Sequence, residues 1–187
     1  MKEHPELGVD WYDEMFKTTP RYTRHYRTVR LYYIFAVAIQ MIRKNVRNPD
    51  ILEIACGTGQ LAHYLFDEGF KKYRGFDFSE VALRIARKKN LPFEFSKGDV
   101  YDIKPFEGNY NVVLGTEILE HLKDDIAVIK NMRKGVLGIF SVPNYICKGH
   151  VRCFKSQAQV EKRFGGVLNI KDIVFVHRCF VFSGRVK

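Results

Sequence analysis

Four side chains able to handle a proton or a metal ion stand close together in this sequence. Glu117, Glu120 and His121 fall within five residues, and His150 follows 29 residues after His121, beyond the fifth predicted strand. Glu-x-x-Glu-His sets the first three at i, i+3 and i+4, so a helix there would carry them on one face. An imidazole about 3 Å from a hydroxyl or amine can take its proton, which makes His121 and His150 candidate general bases. The same four groups, Glu117, Glu120, His121 and His150, could instead hold a divalent cation of open identity. A third reading is structural, with acids at a helix start and histidines hydrogen-bonded nearby. A second constellation lies upstream in Ile51-Leu52-Glu53-Ile54-Ala55-Cys56-Gly57-Thr58-Gly59-Gln60. It joins an apolar run to an acid and a glycine turn, and glycine lets backbone approach a ligand closely. Asp77 comes 24 residues after Glu53, a separation at which an acid can accept two ribose hydroxyls.

These residues need elements to hold them, and the periodicity supplies a set. Strands are predicted at 51–54, 73–78, 93–95, 110–115 and 136–142. Helices are predicted around 61–66, 80–89, 118–122, 124–132 and 154–164. Gly69 is read as a helix C-cap and Ser79 as an N-cap. Residues 168–176 and 180–187 alternate as a closing strand pair. At the other end, 1–20 reads as a loose lead-in with Trp11, Tyr12 and Phe16, and 22–46 as one long helix. Strand–helix alternation predicts one α/β domain: a doubly wound, mostly parallel, seven-stranded Rossmann-like sheet. An antiparallel C-terminal strand pair and an N-terminal helical extension complete it. Ligands of such sheets bind beyond the carboxyl ends of the strands. Gly57 and Gly59, Asp77, Asp99, and Thr116 with Glu117 all fall at such ends.

The chain has 187 residues, 46% hydrophobic and 28% charged, as expected of one globular domain. Its longest apolar run is too short for a membrane span, and no leader pattern opens the sequence. A cytoplasmic address without membrane partners is expected. Four cysteines form no CxxC pair and are read as reduced structural thiols. The net charge of +10 is concentrated at 148–187, where nine basic residues face two acidic ones. Such a surface attracts phosphate, carboxylate or nucleic acid, or is simply solvated.

A dinucleotide is one ligand for the glycine turn, with Ala62 as the third small position of Gly57-x-Gly59-x-x-Ala62. A Glu53 carboxylate before the turn would repel a pyrophosphate, whereas S-adenosylmethionine (SAM) offers an amino cation and a sulfonium. Over about residues 50–145 the chain resembles the class I SAM-dependent methyltransferases. Residues 51–60 resemble motif I, and Gly75-Phe76-Asp77-Phe78-Ser79 resembles motif II. Gly98-Asp99-Val100 resembles the segment whose acid reaches the adenine amine. Asn111–Leu114 with Thr116–His121 resembles motif IV and its helix. The resemblance implies Asp77 on the ribose and Phe78 against the adenine, with Glu53, Ala55, Gly57, Gly59, Asp99, Val100 and Thr116 also at the cofactor. Residues 48–147 would form the SAM core, 1–47 a helical lid, and 148–187 the substrate side. Tyr22 and Tyr26 of the lid are candidates to contact SAM, and His25 to contact SAM or substrate.

Methyl transfer is an in-line displacement in which alignment supplies much of the rate. The expected activity is methylation of a hydroxyl, less readily an amine, on a small molecule, as in the similar ubiquinone-biosynthesis O-methyltransferases. Glu117 and Arg152 are expected on the substrate side, Arg152 against an anionic group. No metal is required by this reading. A second reading takes Glu-x-x-Glu-His and a later histidine as resembling small-RNA 3′-terminal 2′-O-methyltransferases, whose metal grips ribose hydroxyls. This chain departs from them, because His150 follows His121 by only 29 residues, and a separate RNA-end-binding domain is not expected within the 187 residues. A third reading is a SAM-binding module without catalysis, against which stand the intact glycine turn, Asp77 and Asp99.

Overall fold

Ile51, Leu52 and Ile54, and Val112, Val113 and Leu114, are wholly buried, because both faces of their strands are covered. A computed structural model describes residues 5–187. Parallel strands β1 (Asp50–Ile54), β2 (Lys72–Asp77), β3 (Glu94–Lys97), β4 (Val112–Gly115) and β5 (Leu137–Pro143) are joined by helices α3 (Gln60–Asp67), α4 (Glu80–Arg87) and α5 (Asp125–Lys130). After α6 (Gln157–Phe164), β6 (Leu168–Val176) and β7 (Cys179–Val186) form an antiparallel hairpin. Its two-residue turn, His177-Arg178, has φ of 48° and 69°, both left-handed, as a tight hairpin turn requires. The seven-stranded order is β3-β2-β1-β4-β5-β7-β6, with β7 antiparallel to β5. Strand order reverses between β1 and β4, so the ligand crevice belongs at their carboxyl ends. One apolar layer sets Ile34, Ile39 and Leu65 against one sheet face, and the other sets Val128 and Phe164 against the opposite face, Phe164 stacking on Phe182 of β7.

The N-terminal part differs from the sequence reading in two ways. The lead-in contains a helix, α1 (Val9–Thr18), with Phe16 buried and Tyr12 packed beside it. The long helix at 22–46 is confined to α2 (Tyr32–Asn45), preceded by 3-10 turns at Pro20–Tyr22 and Tyr26–Thr28. The missing helical turns have a cause in the glycine loop. The Gln60 amide donates to the carbonyls of Arg21 (2.9 Å) and Arg24 (2.7 Å), and the Thr58 hydroxyl to that of Tyr22 (2.5 Å). Carbonyls spent this way are withdrawn from a helical ladder, and β-branched Thr23, Thr28 and Val29 weaken it further.

The expected helix at 118–122 is a single 3-10 turn, Leu119–His121. Glu117 before it has φ 55°, so Glu117, Glu120 and His121 do not share a helix face. The helix predicted at 154–164 begins later, at Gln157, where the Ser156 side chain accepts from the Gln159 N–H. Among the described residues no helix is long and apolar enough to cross a membrane.

Candidate active site

A cavity of about 710 Å³, counting its open mouth, lies at the carboxyl ends of β1, β2 and β4. Ala55 and Gly57, Asp77 and Phe78, Asp99 and Val100, and Glu117 and His121 form its wall, each pair contributed by a different chain segment. Leu7, Tyr12 and Phe16 line it from the N-terminal side. Tyr12 bridges two walls, its ring centroid 5.5 Å from Phe78 and 5.8 Å from His121. Glu6 ties the segment before α1 in place, accepting from the Lys123 N–H (2.8 Å) and the Tyr101 hydroxyl (2.9 Å). The aromatic residues of the N-terminal extension that face the cavity are therefore Tyr12 and Phe16, whose i, i+4 spacing was the available signal.

The β1 turn is left-handed at Ala55 (φ 51°), Gly57 (φ 53°) and Gly59 (φ 70°). The two glycines do different work. A Cβ at Gly57 would stand 3.8 Å from the Phe16 ring, inside the crevice a ligand must enter. A Cβ at Gly59 would meet Ala86 at 3.1 Å, so Gly59 lets α3 pack on α4. Gly59 is not on the cavity wall.

Asp77 is buried, and both its oxygens already accept backbone N–H groups, Gly57 at 2.8 Å and Ser79 at 2.9 Å. Each oxygen keeps a further lone pair for a ligand hydroxyl. Burial raises its pKa to about 6, Asp13 of α1 adds to this, and the N–H bonds from Ser79, Gly57 and Phe78 oppose it. A hydroxyl pair that donates to Asp77 binds the ionised form best. Cofactor affinity is therefore expected to be steady above about pH 6 and to fall about tenfold per unit below it, as the proton competes. Calorimetry at three pH values checks this, and an affinity unchanged down to pH 5 would exclude it.

Glu53 lies beneath the turn rather than on the wall. It is buried and accepts the Tyr73 hydroxyl at 2.5 Å, and burial raises its pKa to about 8. Its side chain is then largely protonated at neutral pH, which removes the charge on which the exclusion of a pyrophosphate rested. Gly75 makes room for the pair, since a Cβ there would lie 2.5 Å from the Tyr73 oxygen.

On the opposite wall, Glu117 exchanges hydrogen bonds with Ser141 of β5. Its N–H donates to Oγ and its Oε1 accepts from the hydroxyl, both at 2.9 Å. The Cys179 thiol also bonds its carboxyl group, whose pKa burial raises. His121 Nδ1 lies 2.9 Å from the Gly149 carbonyl, which only accepts, so Nδ1 carries the proton and Nε2 the lone pair. Burial lowers the His121 pKa to about 4, and it is neutral at physiological pH. His150 Nδ1 likewise faces the Tyr145 carbonyl at 3.2 Å, and its Nε2 lies 3.1 Å from the Cys147 sulfur.

Glu120, His121 and His150 are brought together, with one ligand atom from each within 4.8 Å of the others. Glu117 is outside this group because Ser141 and Cys179 hold its carboxyl group. Thr116 and His150 do not line the cavity. Other expected contacts are displaced for clear reasons. Tyr26 is fully buried, stacked on Tyr64 at 4.5 Å with its hydroxyl on Asp67 at 2.5 Å, so it is core. His25 is exposed and packs against His63. Tyr22 packs on Phe16, behind the wall. Arg152 does not face the cavity: it donates to the carbonyls of Leu119, Leu122 and Lys123 and pairs with Asp125 at 2.9 Å.

A sheet of this order, with a glycine turn after β1 and an acid ending β2, is a Rossmann-like sheet able to seat a nucleotide cofactor at its switch point. The family model described as a methyltransferase domain matches residues 51–136. Demethylmenaquinone methyltransferase of Chlorobaculum parvum is 37% identical over 84 residues, 43% of this chain and 35% of that protein. Ubiquinone biosynthesis O-methyltransferase of Hydrogenovibrio crunogenus is 29% identical over 142 residues, 70% of this chain and 58% of that protein. Magnesium protoporphyrin IX methyltransferase of Synechocystis, solved with bound SAH, superposes with a TM-score of 0.71 at 15% identity, covering 96% of this chain and all of that one. The chain spans about a third to three-fifths of the curated relatives it matches. Just under half of the chain, residues 51–136, thus matches a methyltransferase domain, for which SAM is the implied cofactor. The residues present fit that cofactor: Gly57 leaves the crevice open, Asp77 keeps acceptor capacity, and the Phe78 ring lies on the wall.

Proposed function

We propose that this chain methylates a hydroxyl group on a small-molecule acceptor. The reading is carried by the placement of a neutral imidazole, His121, on the cavity wall opposite the Gly57–Asp77 cradle. The names of the ubiquinone and menaquinone relatives support the small-molecule class. Gly57, Asp77, Phe78 and Asp99 would hold the cofactor, which supplies an electrophilic methyl carbon on a sulfonium. The chain's own work is alignment and proton handling. Glu117, fixed by Ser141, orients the acceptor. The acceptor's O–H proton passes to the Nε2 lone pair of His121, whose orientation the Gly149 carbonyl maintains. Tyr12 and Phe16 exclude water as a lid.

Incubation with methyl-labelled SAM against a pool of phenols and quinols, with an RNA pool in parallel, tests the acceptor class. Label entering only RNA would overturn the small-molecule reading. His121→Gln is expected to lower kcat about 10²- to 10³-fold while leaving SAM affinity within about twofold. An unchanged kcat would remove His121 from the proton path.

A further inference from the structure

The chain carries a net charge of +10, yet among the described residues that line the cavity at the carboxyl ends of the strands none is a lysine or an arginine. A second cavity, of about 930 Å³ counting its open mouth, lies at the other end of the sheet, where α2 and α3 finish and β1 and β2 begin. The length of β1 sets the two cavities about 20 Å apart. Four cations, Arg43, Arg47, Lys71 and Lys72, and one carboxylate, Glu68, line this second cavity. Glu68 is already committed, because its Oε2 accepts from Arg43 at 2.7 Å. Arg43 also donates to the Glu68 carbonyl at 3.3 Å and lies 5.8 Å from the Phe70 ring centre, as a basic residue closing two helix ends does. No such partner accounts for the other three cations. Arg47, Lys71 and Lys72 are exposed and stand beyond the last residues of α2 and α3. Among the described residues none of their side chains makes a hydrogen bond or an ion pair. Like charges gathered round one recess focus their field into it and draw an anion there.

We propose that this second cavity binds a phosphate ester of a small soluble molecule. The Arg47 guanidinium offers paired N–H donors to phosphate oxygens, and Lys71 and Lys72 add compact point charges. A phosphate ester carries close to two negative charges at neutral pH, against one for a carboxylate, and so answers three uncommitted cations more fully. Pro49 and Phe70 on the same wall supply apolar surface for the organic part of the ester. The concave shape selects a small molecule. A recess of this volume admits one phosphate and its attached group, whereas a bilayer surface or an extended nucleic-acid backbone is met by cations on a flat or protruding face. Binding here is independent of the acceptor and of the cofactor, whose crevice is at the opposite end of the strands.

Calorimetric titration with phenyl phosphate, in the presence of excess SAH to occupy the other cavity, tests the site. One phenyl phosphate per chain is expected, with benzoate at least about tenfold weaker. Arg47→Gln, and Lys71→Gln together with Lys72→Gln, should each weaken phenyl phosphate binding at least about tenfold, because each removes hydrogen bonds to a charged group. Lys130→Gln together with Lys162→Gln removes as much charge as the lysine pair does, from α5 and α6 on the opposite sheet face, and should bind as the wild type does. All five replaced side chains are exposed, and a thermal melt shows that each variant is folded. Phosphatidylglycerol vesicles and a single-stranded RNA oligonucleotide probe the larger anions. No binding of phenyl phosphate, benzoate bound equally well, binding unchanged in the cavity variants, or an equal loss in the α5 and α6 variant would overturn the proposal. Binding of the vesicles or the RNA without phenyl phosphate would overturn it as well.

Discussion

Asp77→Asn will weaken SAM binding about 10²-fold or more, the largest effect on cofactor affinity expected from a single-residue change. The first reason is charge, since a hydrogen bond to an ionised group contributes about 1.5–3 kcal/mol and the ribose would offer two. The second reason is geometry peculiar to this loop. Oδ2 accepts from Gly57 and Oδ1 from Ser79, so an amide turned either way sets its NH2 against a backbone N–H. The turn must then shift, and the left-handed backbone at Ala55 and Gly57 with it. Calorimetric titration with SAM and SAH checks the result, with a thermal melt to show that the variant is folded. A loss of less than about threefold would remove Asp77 from the cofactor contacts.

Asp125→Ala will produce the largest loss of stability, about 3–5 kcal/mol, seen as a fall in Tm of about 10 °C or more. The carboxylate is 0% exposed and pairs with two guanidinium groups, Arg152 at 2.9 Å and Arg163 at 2.5 Å. Removing it leaves both cations partly buried around a cavity. The effect reaches the site, because Arg152 also donates to the carbonyls of Leu119, Leu122 and Lys123 and so shapes the turn that carries Glu120 and His121. Urea unfolding of the variant measures the loss. A change below about 1 kcal/mol would mean that the pair contributes no more than an exposed one.

The strand ends were legible because a parallel strand is a local object, an apolar run stopped by an acid or a glycine. Asp77, Asp99 and Glu117 could thus be placed at strand ends before any fold was known. The C-terminal hairpin was legible from its alternation, and its position between β5 and the sheet edge was not. Residues 22–46 misled for the opposite reason. Their spacing supports a helix, but the carbonyls it would need are taken by Thr58 and Gln60, more than thirty residues away. Arg152 looked like an anion contact because an arginine in a loop carries no mark of the carbonyls that surround it.

The order of the motifs was enough to imply a resemblance to the class I methyltransferases, SAM as the cofactor, and acids expected at the strand ends. Each of those is encoded within a few neighbouring residues. Tertiary structure alone decided the state of the buried groups. Glu53 loses its charge under the turn, Glu117 is taken by Ser141 and Cys179, and Glu120 is buried with neither oxygen hydrogen-bonded among the described residues. Three glutamates of identical intrinsic chemistry acquire three different roles, because pKa and hydrogen bonding depend on what burial brings within about 4 Å, and sequence spacing does not report that distance.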